Sequence, residues 1–155
     1  MFFNLIFLEK QYKRCTFAVL KQEKVMKQEE KDLLLKYLSM TLPYGVICKI
    51  HYTFNNETTF GEEVIANEDD NIRCIDIHTK EIQADYYGEW VDLEHCKPYL
   101  RSMSSMTEEE KEEYKKLRWT KLEHYTVFWL LKNHFDFMDL IPKGLALETP
   151  EGMYN

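Results

Sequence analysis

The sequence predicts an α+β domain: a small, strongly bent antiparallel sheet with a helical segment on either side. Three observations predict it. Between Gly45 and Leu100 short apolar runs alternate with turn chemistry. The stretch before it carries helical periodicity, and the stretch after it opens on a helix-capping signature.

The first helix is expected over residues 27–41. Leu34, Tyr37, Leu38 and Thr41 or Leu42 fall on one face, among Glu29, Glu30, Lys31 and Lys36. Pro43 disfavours a helical Leu42, so the helix should end near Thr41, and Gly45 releases the chain into a strand.

From Val46 to Thr53 the period is two: Val46, Cys48, Ile50 and Tyr52 alternate with Ile47, Lys49, His51 and Thr53. Asn55-Asn56-Glu57 reads as a turn and Thr58–Ile65 as the hairpin partner, with Gly61 marking a bulge. Asn67-Glu68-Asp69-Asp70-Asn71 reads as a second turn before a third strand, Ile72–His78. Thr79-Lys80-Glu81 turns again into Ile82–Tyr87, and Gly88 precedes a short Trp90-Val91 strand. Leu93–Lys97 is expected to form one helical turn before Pro98. Five short strands in residues 44–100 fit a β-barrel-like core, SH3-like by first choice and OB-like by second. An open meander covered by the two helical segments satisfies the same periodicity.

Arg101–Met106 is a connector rich in serine and methionine. Thr107-Glu108-Glu109-Glu110 then forms a capping box, opening a helical segment over residues 107–147. Tyr114, Leu117, Lys121 and Tyr125 are helically spaced, and a second start is expected at Thr126, ending at Asn133 or His134. Asp136 can cap one further turn through Leu140, with Pro142 blocking extension and Gly144 turning the chain.

Composition narrows the function classes. The 155 residues are 45% hydrophobic and 14% aromatic, enough to build a core. The formal charge of −7 disfavours a general nucleic-acid binder, which presents a net basic face, and suits a protein that meets a basic partner. Residues 1–25 reverse that sign, with Lys10, Lys13, Arg14, Lys21 and Lys24 against Glu9 and Glu23. They are read as an N-terminal extension, disordered or added by an upstream start before Met26, and dispensable for folding. No segment reaches the roughly 18 consecutive apolar residues of a spanning helix, so no membrane role is expected. Four scattered cysteines without a CxxC pair indicate reduced thiols and a cytoplasmic protein.

Four ordered blocks carry a resemblance. They are Leu42-Pro43-Tyr44-Gly45-Val46, Lys97-Pro98-Tyr99-Leu100-Arg101, Ser104–Glu110, and His134-Phe135-Asp136 with Lys143–Glu148. Over residues 27–155 the chain resembles uncharacterised short proteins of gut Bacteroidales bacteria and their phages or mobile elements. It departs from them at Ser102, where proline is expected, and at Pro142, where a charged helix former is. The resemblance implies no catalytic residue, cofactor or fold.

Several groupings are open to a chemical reading. Cys48, His51, Cys74, His78, His95 and Cys96 are zinc-ligand types. On strands, however, Cys48 and His51 face opposite ways, and His95 and Cys96 are adjacent, so no metal site is expected. Cys96 with His95 or His124 as base lacks any nucleophile signature. Glu62, Glu63, Glu68, Asp69 and Asp70 read as solvated turns, and Glu108–Glu113 as a solvated helix face. There is no P-loop, GxGxxG or HExxH. Tyr86, Tyr87, Trp90 and Tyr99 are the candidate binding residues, able to line a groove as aromatics do on small barrels. The expectation is therefore a non-enzymatic module that binds another protein, with a nucleic-acid-binding barrel as the alternative.

Overall fold

A computed structural model describes residues 26–55, 63–85, 88, 90–120 and 123–154. The expected extension at 1–25 and the strand start at Thr58 lie outside the described residues.

Helix α1 spans Gln28–Thr41, as its spacing predicts. The Lys27 N–H donates to the Glu30 carboxylate at 2.8 Å, satisfying one otherwise orphaned donor of the first turn. Leu34, Leu35, Tyr37, Leu38 and Thr41 are buried, and the Thr41 hydroxyl is satisfied by the Tyr37 and Leu38 carbonyls at 3.1 Å. The helix tightens into a 3-10 turn over Leu42–Tyr44. Gly45 then reverses the chain at φ +70°, a backbone region where a Cβ would be strained.

Strands β1 (Ile47–Asn55), β2 (Glu63–Asp76), β3 (Glu81–Ala84), β4 (Trp90–Asp92) and β5 (Cys96–Leu100) pair antiparallel throughout, and β6 (Leu147–Glu148) joins β5 in parallel. The order is β4-β3-β2-β1-β5-β6, giving an open six-stranded mixed sheet. The expected closure into a barrel is not seen among the described residues: β4 and β6 stand at opposite edges, and the outer edge of β5 is occupied by β6.

Two expected elements merge. Residues 67–71 are not a turn but the middle of β2, a single strand of 14 residues. Its first part pairs with β1 from Asn55↔Glu63 to Ile47↔Asn71. From Ile72 onward it pairs with β3, through an irregularity between Ile72 and Cys74. Asn and Asp have low strand propensity, but β1 supplies a continuous ladder for their backbone groups, and Asp69 sits opposite Lys49. Tertiary pairing wins. Likewise Leu93–His95 is a 3-10 turn, as expected for a helical turn there, but the chain becomes strand again at Cys96.

Helix α2 (Glu108–Trp119) starts on the predicted capping box. The Glu110 N–H donates to Thr107 Oγ1 at 3.2 Å and the Thr107 N–H to the Glu110 carboxylate at 2.8 Å. Helix α3 (Glu123–Lys132) begins three residues before the expected Thr126. Past it, His134 takes a left-handed φ of +58°, an αL exit from the helix end. Asp136 caps the turn beyond, accepting from the Leu140 and Ile141 N–H groups at 2.8 Å each.

α1 is shared between two cores. Leu34, Leu35 and Leu38 pack on Val46, Cys48, Ile50, Ile82, Leu93 and Cys96 of the sheet side. Tyr37 joins Leu100, Leu131, Leu140, Leu145 and Ala146, and a smaller cluster unites Met106, Leu130 and Phe135. No described helix is long and apolar enough to cross a membrane.

Candidate functional site

The predicted aromatic groove does not assemble from its described members. Trp90 is half exposed in β4, whereas Tyr99 lies in β5, with three strands between them, and is only 7% exposed. Its hydroxyl donates to Asp69 at 2.9 Å, and burial pushes its pKa up to about 12. Tyr86 and Tyr87 lie outside the described residues.

The thiols and imidazoles are likewise separated. Cys48 and Cys96 are fully buried in the sheet-side core, and burial, with Cys96 beside it, pushes the Cys48 thiol well up. His51 leaves β1 on the opposite face and stacks with His95, ring centroids 6.1 Å apart. The Cys74 thiol donates to Gln83 Oε1 at 3.2 Å, and His78 is exposed in the following turn. Among the described residues no group of three or more His, Cys, Asp or Glu side chains is placed to hold a metal. Cys96 is sealed from any substrate, and His124 stands on α3 against the Tyr125 ring, centroids 4.4 Å apart.

What the fold does bring together is a junction around Arg101, just past β5. Its two terminal nitrogens grip both oxygens of Glu110 at 2.8 Å, a bidentate pair that holds the Glu110 carboxyl below its ordinary range. The guanidinium also lies 4.3 Å from the centroid of the Phe135 ring. Its main chain bridges to the segment after α3: Arg101 N–H donates to His134 O and Asp136 N–H to Arg101 O, both at 2.8 Å. From behind, the Tyr37 hydroxyl donates to the Phe135 carbonyl at 3.3 Å, and burial pushes the Tyr37 pKa up. Glu148 pairs with Leu100 in the β5–β6 ladder. Segments of three of the four blocks quoted from the sequence thus meet at one arginine.

The chain from Glu148 to Tyr154 closes over this junction and is pinned by Tyr154. Its hydroxyl accepts from Ile47 N–H and donates to Tyr99 O, both at 3.0 Å, and its ring stacks on His134 with centroids 3.7 Å apart. His134 is buried. Burial, with the Arg101 charge nearby, lowers its pKa to about 4, so the ring is neutral at pH 7. Its Nδ1 has no hydrogen-bond partner among the described residues.

Beneath that closing segment lies a cavity of about 330 Å³. Arg101, Ser102, Ser105, Thr107 and Glu110 form one wall and residues 148–154 the other. The buried Oγ1 of Thr149, a residue of the second wall, also lacks a partner among the described residues. None of these residues was singled out as a site from the sequence. The signal available was the capping box, which fixes Thr107 and Glu110, but nothing local pairs Glu110 with Arg101.

A second feature lies on the helical hairpin. Trp119 at the end of α2 is 86% exposed, and Tyr125 and Phe128 on α3 are 54% and 51% exposed. The His124 ring contacts both α3 aromatics. Compared with protein families, curated proteins and solved structures, the chain matches none. The fold and its surfaces therefore define it directly: an α+β domain on an open mixed sheet, with an aromatic hairpin and a polar cavity.

Proposed function

We propose that this protein is a non-enzymatic accessory protein that works by binding another protein, in the cytoplasm of a cell hosting the phage or mobile element that the four sequence blocks suggest. One observation carries the reading: Trp119, Tyr125 and Phe128 face solvent on the α2–α3 hairpin. Large aromatics are enriched at interface centres, where each supplies area at low entropic cost. The net charge of −7 supports a basic protein as the partner and opposes a polyanion.

The same proposal takes the sheet as SH3-like kin. The long, partner-switching β2, the 3-10 turn between β4 and β5, and the return of β5 to β1 support it. In this reading the parallel β6 lies where a barrel would close.

The test compares proteins captured from the native host by the wild-type chain and by a Trp119→Ala/Phe128→Ala variant. A stoichiometric partner retained only by the wild type, at equal thermal midpoints, is the expected result. Identical capture by both overturns the assignment to the hairpin. Retention on DNA or RNA that falls steeply with salt replaces a protein partner by a nucleic acid.

A further inference from the structure

We infer that residues 149–154 form an acid-released strap: a proton taken up by His134 frees them while the sheet and helices stay folded. His134 is only 6% exposed, and the Tyr154 ring lies over it with centroids 3.7 Å apart and planes 12° from parallel. The imidazole is therefore roofed by the strap itself.

Closed, the site has no place for the charged ring. Protonation makes both ring nitrogens donors, and Nδ1 is buried with no acceptor among the described residues. Burial, and then the like charge of Arg101, hold the ring neutral down to about pH 4. The carboxylates of the surrounding elements are engaged or turned to water. Arg101 grips Glu110 of α2, Asp136 accepts from the Leu140 and Ile141 N–H groups, and Glu148 and Glu151 are exposed. Tyr37 of α1, Cys48 of β1 and Tyr99 of β5 are neutral, burial raising the pKa of each. The Tyr154 face attracts a cation, but it supplies neither water nor an acceptor for Nδ1.

Charging the ring therefore needs water, and the smallest motion that admits it is departure of the strap. The strap is lightly held. Thr149 N–H donates to Leu100 O at 2.9 Å, and the Tyr154 hydroxyl bridges Ile47 N–H and Tyr99 O. β1 beneath it is laddered to both β2 and β5. Opening also hydrates Thr149 Oγ1, which is buried without a partner among the described residues while the strap is closed. Release bares the Tyr99 and Leu100 carbonyls and the Ile47 N–H, main-chain groups to which an extended segment can add.

The experiment is amide hydrogen exchange on the full chain from pH 7 to pH 4.5, corrected for the intrinsic rate at each pH. Protection at Thr149 and Ile47 should fall by up to about tenfold per pH unit, while the β1–β2 ladder and α1 hold theirs. The His134 ring resonances should titrate over the same range, a readout that needs no variant. His134→Asn, a residue that tolerates the left-handed φ of +58°, should abolish the acid slope at Thr149. Tyr154→Phe keeps the ring over His134 but loses the hydroxyl bridge, so Thr149 should exchange faster at every pH with the slope intact. Protection lost at all amides together would make the event global unfolding and overturn the strap. A slope that persists in His134→Asn would belong to Glu148 or Glu151, and a flat profile in the wild type would leave no switch; either overturns it too.

Discussion

His134 shows how much one side chain's surroundings decide. It is held between the Tyr154 ring and a main-chain bridge to Arg101, shielded from water and close to a fixed positive charge. An unfolded histidine takes up its proton near pH 6.5, and this one only near pH 4. The unfolded chain therefore binds more protons across that interval. The contribution is complete above pH 6.5 and is lost as pH falls towards 4, by at most about 1.4 kcal/mol per pH unit. Denaturant unfolding measured from pH 7 to pH 4.5 should show this slope, and His134→Gln should flatten it whatever its effect at pH 7. A slope unchanged in the variant would assign the acid sensitivity to other groups.

Among elements, α2 is the one whose start is written most plainly in the sequence. Thr107 and Glu110 exchange the two bonds that their spacing predicts, so Thr107→Ala should cost about 1 kcal/mol in stability. Thr107→Ser should restore most of it; an equal loss in both would show that the hydroxyl bond is not the cause. The first helix and strands β1, β3 and β4 were legible for the same reason, since periodicity and turn residues are local signals, whereas the residues of β5 were expected to start in a helical turn. The fusion of two expected strands into β2 was not. Asn67–Asn71 has the composition of a turn, and only the ladder offered by β1 makes it strand. Nor could spacing announce β6: two residues pair with β5 because the chain after α3 returns there. Trp90 and Tyr99, the described members of the candidate groove, stand apart because local pattern cannot say that they end on strands separated by three others. The cavity has no local signature, because Arg101, Glu110 and Thr149 meet only through that return path.

For the molecule as a whole, α1 is the member common to both large cores. Leu38 faces the sheet side, while Tyr37, one residue earlier, packs with Leu131 and Leu140 of the C-terminal side. Neither half can lose α1 and remain packed. Unfolding should accordingly be one transition by both near- and far-ultraviolet circular dichroism. Leu38→Ala and Leu131→Ala should each lower that single midpoint, at a cost of about 2–5 kcal/mol. Two resolved transitions in either variant would mean that the cores stand independently.

The Tyr154 clasp and β6 also set an order of events during synthesis. The groups that satisfy the outer edge of β5 and the Ile47 N–H come from residues 147–154, and Tyr154 is 107 positions beyond Ile47. While the ribosome is still making the chain, α1 and the first five strands can form, but the β5 edge stays bare until residues 147–154 have left the exit tunnel. A bare edge is a template for a neighbouring nascent chain. Polysomes crowded with this message are thus where the protein is most exposed to mispairing, and the emergence of residues 147–154 is what ends the risk.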